Sequence, residues 1–336
     1  MRLDKRALLI LTSLLILGGT SSKLQAEVNV VRIATPYGFG FLPLAIMQHE
    51  RLIEKHAKAA GLGDVKVTWS KFAGGNVMND ALLSGSLDFA AGGVPPFLTL
   101  WEKTKGNIEA QGAGALSALP MLLNTRNPSI KSIKDFTEKD KIALAAVKVS
   151  GQALVLQMAA AKLFGQENYA KLDPLTVGLG QPDAMAALLS GAVTAHFASA
   201  PYTYQELQHP GIHTVLNSYD VYGAPTTEYM SWSIGKFRNA NPKTYSAFYA
   251  ALQEAQGIIT SDKKRAAEIY LKATGDTSMS TEMLLKILNN PQFQYSTAPT
   301  NIMTMVDFMH KIGRLKVKPT SWKELFFPEA HALPGS

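Results

Sequence analysis

The sequence contains no cysteine in 336 residues. That removes disulfides, thiol catalysis and zinc–thiolate sites together, and it leaves no thiol for lipid attachment behind a leader. Catalytic spacings are missing as well, since neither HExxH, GxSxG nor GxxxxGK[ST] occurs. The histidines are scattered at His49, His56, His196, His209, His213, His310 and His331. His49 and His56 stand two helical turns apart, a poor metal pair beside i, i+4 spacing, so surface or core roles account for them and no metal site or cofactor is called for. Beyond the N-terminus no apolar run reaches the ~20 residues of a membrane span. No basic stripe interleaves with aromatics, so nucleic acid is not an expected partner.

The N-terminus has a distinct pattern. Arg2, Lys5 and Arg6 form a basic n-region, Ala7 to Gly19 an apolar run, and Leu24-Gln25-Ala26 a small-residue-terminated processing site. This reads as a secretory signal peptide over residues 1–26, cut before Glu27, and implies a periplasmic protein without a lipid anchor. A transmembrane anchor is the competing reading, but the run is short and a polar, small-residue stretch follows it. The formal charge is +7, and the leader carries four bases against one acid, which leaves a mild and dispersed +4. A hydrophobic fraction of 46% argues for packed cores, and the length allows two domains.

One signature occurs twice. Ala81-Leu82-Leu83-Ser84-Gly85 leads to Pro95, and Ala187-Leu188-Leu189-Ser190-Gly191 leads to Pro201 at the same offset, 106 residues on. Each copy predicts a helix end, a glycine C-cap, a short strand and a loop closed by proline. The spacing is too long for a solenoid and suggests two similar α/β lobes that aim equivalent loops at one cleft. Strands are expected at 28–34, 65–69, 119–124, 141–146, 175–177 and 214–216. One helix is expected from Pro43 to Gly61, others at 153–164 and 183–189, and an amphipathic helical tail from Pro242. This rhythm predicts an α/β chain with a mostly parallel sheet, with lobe 1 at 27–124 and 225–336, lobe 2 at 125–224, and two crossings that permit rigid-body closure.

Four stretches carry a resemblance: VRIATPYGFGFLPLAIMQHERLIEK, MNDALLSGSLDFAAGGVPPFL, NPSIKSIKDFTEKDKIALAAVKVSGQALVLQMAAAKLFG and QPDAMAALLSGAVTAHFASAPYTYQEL. In order and spacing the chain resembles periplasmic solute-binding proteins of ABC importers, the nitrate/sulfonate/taurine group, which shares its fold with thiamine-precursor-binding proteins. The resemblance implies a type II periplasmic-binding-protein fold, a small organic anion such as an aliphatic or aromatic sulfonate, taurine or nitrate as ligand, and an ABC permease and ATPase as partners of a monomeric receptor. A thiamine-precursor or other heterocycle receptor, and a sensory binding protein, are the alternatives. The related thiamine-pyrimidine synthases depend on a cysteine-rich motif that this chain lacks, so an enzyme is not expected. Thr194 stands where an aspartate is usual and Asp88 holds that place in the first copy; such an aspartate is expected to support its strand end, and the threonine is read as structural drift.

The resemblance places ligand against loops that follow strands, here Tyr37, Phe39 and Phe41; Gly74, Gly75 and Asn76; Pro95; Ser117; Ser150, Gly151 and Gln152; Pro201 and Tyr202; and Glu228. Ser150-Gly151-Gln152 opens a helix whose free N–H groups and dipole suit an oxyanion, and Gly74-Gly75-Asn76 offers the same on the other lobe. Ser150 as an ordinary N-cap and Gly74 as a turn residue are the plainer readings. The four aromatics either wall the cleft or plug the core. No arginine falls in a ligand loop, so dipoles and hydroxyls would hold an anion. Glu228 faces either an amino group or ring cation in the cleft, or the outer surface.

Overall fold

The computed structural model describes residues 26–336 apart from 73, 276 and 278. The expected signal peptide lies outside the described residues but for Ala26. The chain opens with β1 (Val30–Thr35), whose β-branched residues alternate into the core. A single 3-10 turn (Phe39–Phe41) leads into α1 (Leu42–His49) and α2 (Leu52–Ala59). One helix was expected here; it breaks because Arg51 adopts the left-handed conformation at φ 53°. Next come β2 (Lys66–Lys71), α3 (Gly75–Leu83), β3 (Ala90–Gly93), α4 (Val94–Thr104), β4 (Ala110–Ser117) and β5 (Leu122–Thr125).

β4 was not expected, because its sequence AQGAGALS holds no β-branched or aromatic residue. Its glycines are required by crowding. A Cβ at Gly112 would lie 2.6 Å from the Phe326 ring, and one at Gly114 would lie 2.7 Å from Leu252.

The pattern then restarts with β6 (Ile142–Leu144), α5 (Gly151–Phe164), β7 (Thr176–Gly178), α6 (Gln181–Ser190), β8 (Ala195–Ala198), α7 (Tyr202–Glu206), β9 (His213–Asn217) and α8 (Ser218–Tyr222). The chain returns through β10 (Tyr229–Ile234) to α9 (Gly235–Ala240), α10 (Pro242–Ser261), α11 (Lys263–Thr274), α12 (Thr281–Leu288) and α13 (Met303–Lys311).

Two five-stranded arrays of one topology result. In lobe 2 the order is β7-β6-β8-β5-β9, parallel through β8, with β5 antiparallel to β8 and β9. In lobe 1, β1 and β2 are parallel, a parallel bridge from Ile33 to Phe89 joins β1 to β3, and β10 runs antiparallel between β3 and β4. The fourth strand of each array is the one that has just crossed from the other lobe. Because β5 pairs within the second array, the boundary expected at 125 falls inside a strand.

The repeated signature is repeated in hydrogen bonds. The N–H groups of Asp88 and Phe89 donate to Arg32 O (2.9 and 3.1 Å), and those of Thr194 and Ala195 donate to Lys141 O at the same two distances. Asp88 accepts the N–H of Arg32 (2.8 Å) and pairs with its guanidinium (2.7 Å), while Thr194 Oγ1 accepts the N–H of Lys141 (3.2 Å). Asp88 thus has the supporting role expected of it, and Thr194 makes the equivalent backbone contact with a hydroxyl instead of a carboxylate.

One apolar cluster runs from Phe97 and Trp232 of lobe 1 through Ile142 and Leu154 of lobe 2 to Met305 and Phe326 of the tail. Another packs α1, α2, α10 and α11 on lobe 1, with Phe89 stacked on Phe248 at 3.8 Å. Just after the expected cleavage point, Glu27 caps α10, accepting the N–H groups of Lys243 and Thr244 (2.9 and 2.7 Å).

Candidate functional site

Between the arrays lies a cavity of about 40 Å³. Four helices open on it; the first turns of α3, α5 and α6 leave N–H groups without an intrahelical partner, whereas in α4 Pro95 and Pro96 carry no N–H and that of Val94 is bonded to Glu228 O. Lobe 1 contributes α3, through Gly74, Gly75 and Asn76, and α4, through Gly93 and Pro96. Lobe 2 contributes α5, through Ser150, Gly151 and Gln152, and α6, through Gln181. Ser150 is the N-cap of α5, its Oγ accepting the N–H of Ala153 at 3.2 Å, so the N–H groups of Gly151 and Gln152 are left at the cavity. The lobes meet closely: a Cβ on Gly93 would lie 3.5 Å from the nitrogen of Gly151. Tyr37 and Phe41 form the aromatic wall, with Phe41 edge-on to Tyr229 at 4.8 Å between ring centres.

Glu228 faces the cavity. Its backbone ties the lobe 1 array together, the N–H donating to Ser117 O (3.1 Å) and the carbonyl accepting from Val94 (3.2 Å). Its side chain is 1% exposed, and neither carboxylate oxygen has a hydrogen-bond partner. Burial pushes its pKa up to about 8, against a smaller pull from the nearby Tyr222 hydroxyl, which is not in hydrogen-bonding geometry. Glu228 Oε2 stands 3.4 Å from where a Gly151 Cβ would be, so the first turn of α5, expected to meet a ligand oxyanion, is already faced by this carboxyl. Two further polar atoms on the cavity wall are buried without partners, Gln181 Nε2 and Tyr229 Oη. Gln181 is held in place by Ser199, whose N–H donates to its Oε1 at 3.0 Å.

Five expected site residues lie elsewhere. Phe39 is fully buried, edge-on to Tyr270 at 4.4 Å, so it belongs to the core. Pro95 sits inside the first turn of α4, its carbonyl taken by Thr99. Ser117 Oγ donates to Gly40 O at 3.0 Å and braces the aromatic loop from behind. Pro201 forms the N-cap of α7, and the carbonyl before it accepts from Phe39 N at 2.7 Å. Tyr202 lines a second, larger chamber of about 460 Å³, which shares Tyr37 and Phe41 with the inner cavity.

Sequence reasoning missed Gln181, Ser199, Tyr229, Gly93, Ala145 and Met121 on the inner wall. The repeat offset of 106 carries Gly75 onto Gln181 and Gly93 onto Ser199, so the signal for these two was present. Tyr229 gave none, since an aromatic in a buried strand reads as core.

Among the described residues no group of three or more His, Cys, Asp or Glu could hold a metal ion, and no helix is long and apolar enough to cross a membrane. His196 is fully buried and paired with Glu206, and His56 contacts Glu254 at 2.7 Å.

The sequence model of the NMT1-like family matches residues 25–272. No curated protein matches the sequence significantly. Among solved structures, the chain is similar to the alkanesulfonate-binding protein SsuA from Xanthomonas axonopodis pv. citri bound to MOPS, with a TM-score of 0.69 at 18% identity, covering 91% of this chain and 99% of that one. It is also similar to the periplasmic aliphatic sulphonate binding protein SsuA from Escherichia coli (0.64, 18%, 92% and 100%). A Candida albicans protein described as having the generic periplasmic binding protein fold matches at 0.63 and 14%, over 86% and 92% of the two chains. At these identities the likeness shows the fold, a periplasmic-binding-protein architecture.

Proposed function

The chain belongs to the NMT1-like family, and from that premise we propose that it is the solute-binding component of an ABC importer, acting in the periplasm as a monomer that delivers its ligand to a permease and its ATPase. The two lobes are the halves that move, with the return crossing at Glu228 beside the ligand. The observation that carries this reading is the interlobe cavity, walled by four helix first turns and by buried polar atoms that lack partners. Such atoms cost stability when left unsatisfied, and a solute enclosed by lobe closure supplies what they lack. Binding energy spent on closing the lobes then marks the loaded form for the permease.

The solute is a small organic acid of the sulfonate class that also carries an N–H donor. The helix first turns favour an oxyanion, whereas the Glu228 carboxyl requires a donor or cation. Within the set of taurine, alkyl and aryl sulfonates and nitrate, taurine alone combines the two. Glu228 together with Tyr37, Phe41 and Tyr229 favours a second reading, a protonatable heterocycle such as a thiamine precursor stacked on those rings.

A thermal-shift screen of the purified protein across these compounds tests both. Ligand at about 100 times its Kd stabilises by about 2.7 kcal/mol, a visible rise in Tm. A shift with amino-sulfonates but not with plain alkyl sulfonates supports the first reading. A shift only with heterocycles transfers the assignment to the second, and no shift across every class rejects both.

A further inference from the structure

The inner cavity is too small to be the whole site. At about 40 Å³ it is less than a tenth of the chamber outside Tyr37 and Phe41, at about 460 Å³, and the two share those rings as a common wall. The outer chamber is also interlobar, with Tyr270 from α11 of lobe 1 facing Met185 and Tyr202 from α6 and α7 of lobe 2. It would therefore close with the inner cavity. The two differ in character: Glu228 is the one acidic or basic side chain lining the inner cavity, and Lys71 the one lining the outer.

Lys71 lies at the end of β2, with its Nζ 3.4 Å from Pro36 O and 5.8 Å from the centre of the Tyr37 ring. Among the described residues it forms no ion pair. Lys71 is exposed to solvent, and its ammonium rests on a carbonyl and a ring face at the chamber wall without a carboxylate, which leaves it available to an anion entering the chamber. The two chambers thus present a buried carboxyl without a hydrogen-bond partner and an ammonium without an ion pair on either side of one aromatic wall.

We propose that the outer chamber is a second subsite, in which Lys71 binds the acidic end of a solute whose nitrogen end reaches Glu228 through the Tyr37–Phe41 gate. This rests on the solute-binding reading and revises it in one respect, moving the oxyanion from the helix first turns of the inner cavity to Lys71. It narrows the ligand to an elongated molecule with an amine at one end and an oxyanion at the other, joined by an apolar body that lies against Tyr37, Tyr202 and Tyr270. Carboxylate, sulfonate and phosphonate share the chemistry that Lys71 reads. Taurine, with charges only two carbons apart, would satisfy one end.

Isothermal titration calorimetry with taurine, its longer ω-amino homologues and the same chains ending in a neutral amide tests this. In the wild type, affinity should climb with chain length to an optimum and then fall. Lys71→Met should weaken the optimal acid by about 10- to 100-fold, the loss of a charge-assisted hydrogen bond, while leaving the neutral amide unchanged, and Lys71→Arg should restore the acid. Unaltered melting of Lys71→Met would show that the fold is intact. Acid binding that ignores Lys71→Met but is lost in Glu228→Gln overturns the outer subsite and leaves the inner site standing. Failure of the whole series to bind wild type overturns the amino-acid ligand class and this proposal with it.

Discussion

At Glu228 the folded protein keeps a proton that the unfolded chain gives up. The carboxyl titrates at about 8 when buried, against 4.5 ordinarily. Between those values the native state binds more protons than the unfolded one, so this residue lowers stability as pH rises through that window, and the loss levels off above about 8. Glu228→Gln, a neutral mimic, should therefore melt several degrees higher than wild type above pH 8 and at the same temperature below pH 4.5, as scanning calorimetry would show. A Tm difference that does not change with pH would count against a buried, proton-holding carboxyl. Sequence could bring Glu228 to the cleft but not decide which way it points, because that depends on its backbone bonds to Ser117 and Val94, partners more than 100 residues away. Phe39 shows the same limit: three aromatics alternate in one loop, and only the packing of Tyr270 distinguishes the core residue from Tyr37 and Phe41.

Among elements, the duplicated strand starts allow a comparison within one molecule. Asp88 secures β1 with charge-assisted bonds to Arg32, whereas Thr194 holds the equivalent strand in lobe 2 through a neutral hydroxyl. Asp88→Asn should cost about 1–3 kcal/mol and Thr194→Val about 0.5–1.5 kcal/mol, following the strengths of charged and neutral hydrogen bonds. Urea denaturation of the two variants measures the difference, and equal losses would mean that the Arg32 pair adds nothing. The repeat that exposes this equivalence was legible in the leucine/glycine signature. Extended by the same offset, it also reaches Gln181 and Ser199, because helix first turns and strand ends keep their register within a repeat. β4 was not legible, since its alanines and glycines are chosen for close approach to Phe326 and Leu252 and carry no strand propensity of their own.

For the whole molecule, the lobes are fastened away from the cavity as well as around it. Asn290 Nδ2 in the tail donates to Tyr204 Oη of α7 at 2.9 Å, Phe293 meets the Tyr204 ring at 6.1 Å, and Tyr219 Oη donates to Gln292 O at 3.2 Å. These contacts join the two lobes as they stand without touching either chamber. Tyr204→Ala should shift the empty protein toward the open form, enlarging its radius of gyration by small-angle scattering and weakening any ligand by the fraction of closed population lost. An unchanged radius and affinity would show the contacts to be incidental. The crossing strands have one more consequence, in time. The array of lobe 2 is drawn from one continuous stretch, β5 to β9, whereas β3 and β4 cannot be joined until β10 slides between them, and Glu27 has no helix to cap before Lys243 arrives. A chain that emerges from its N-terminus therefore finishes its middle first, and the half that appears earliest spends longest with exposed strand edges, waiting for its last partner.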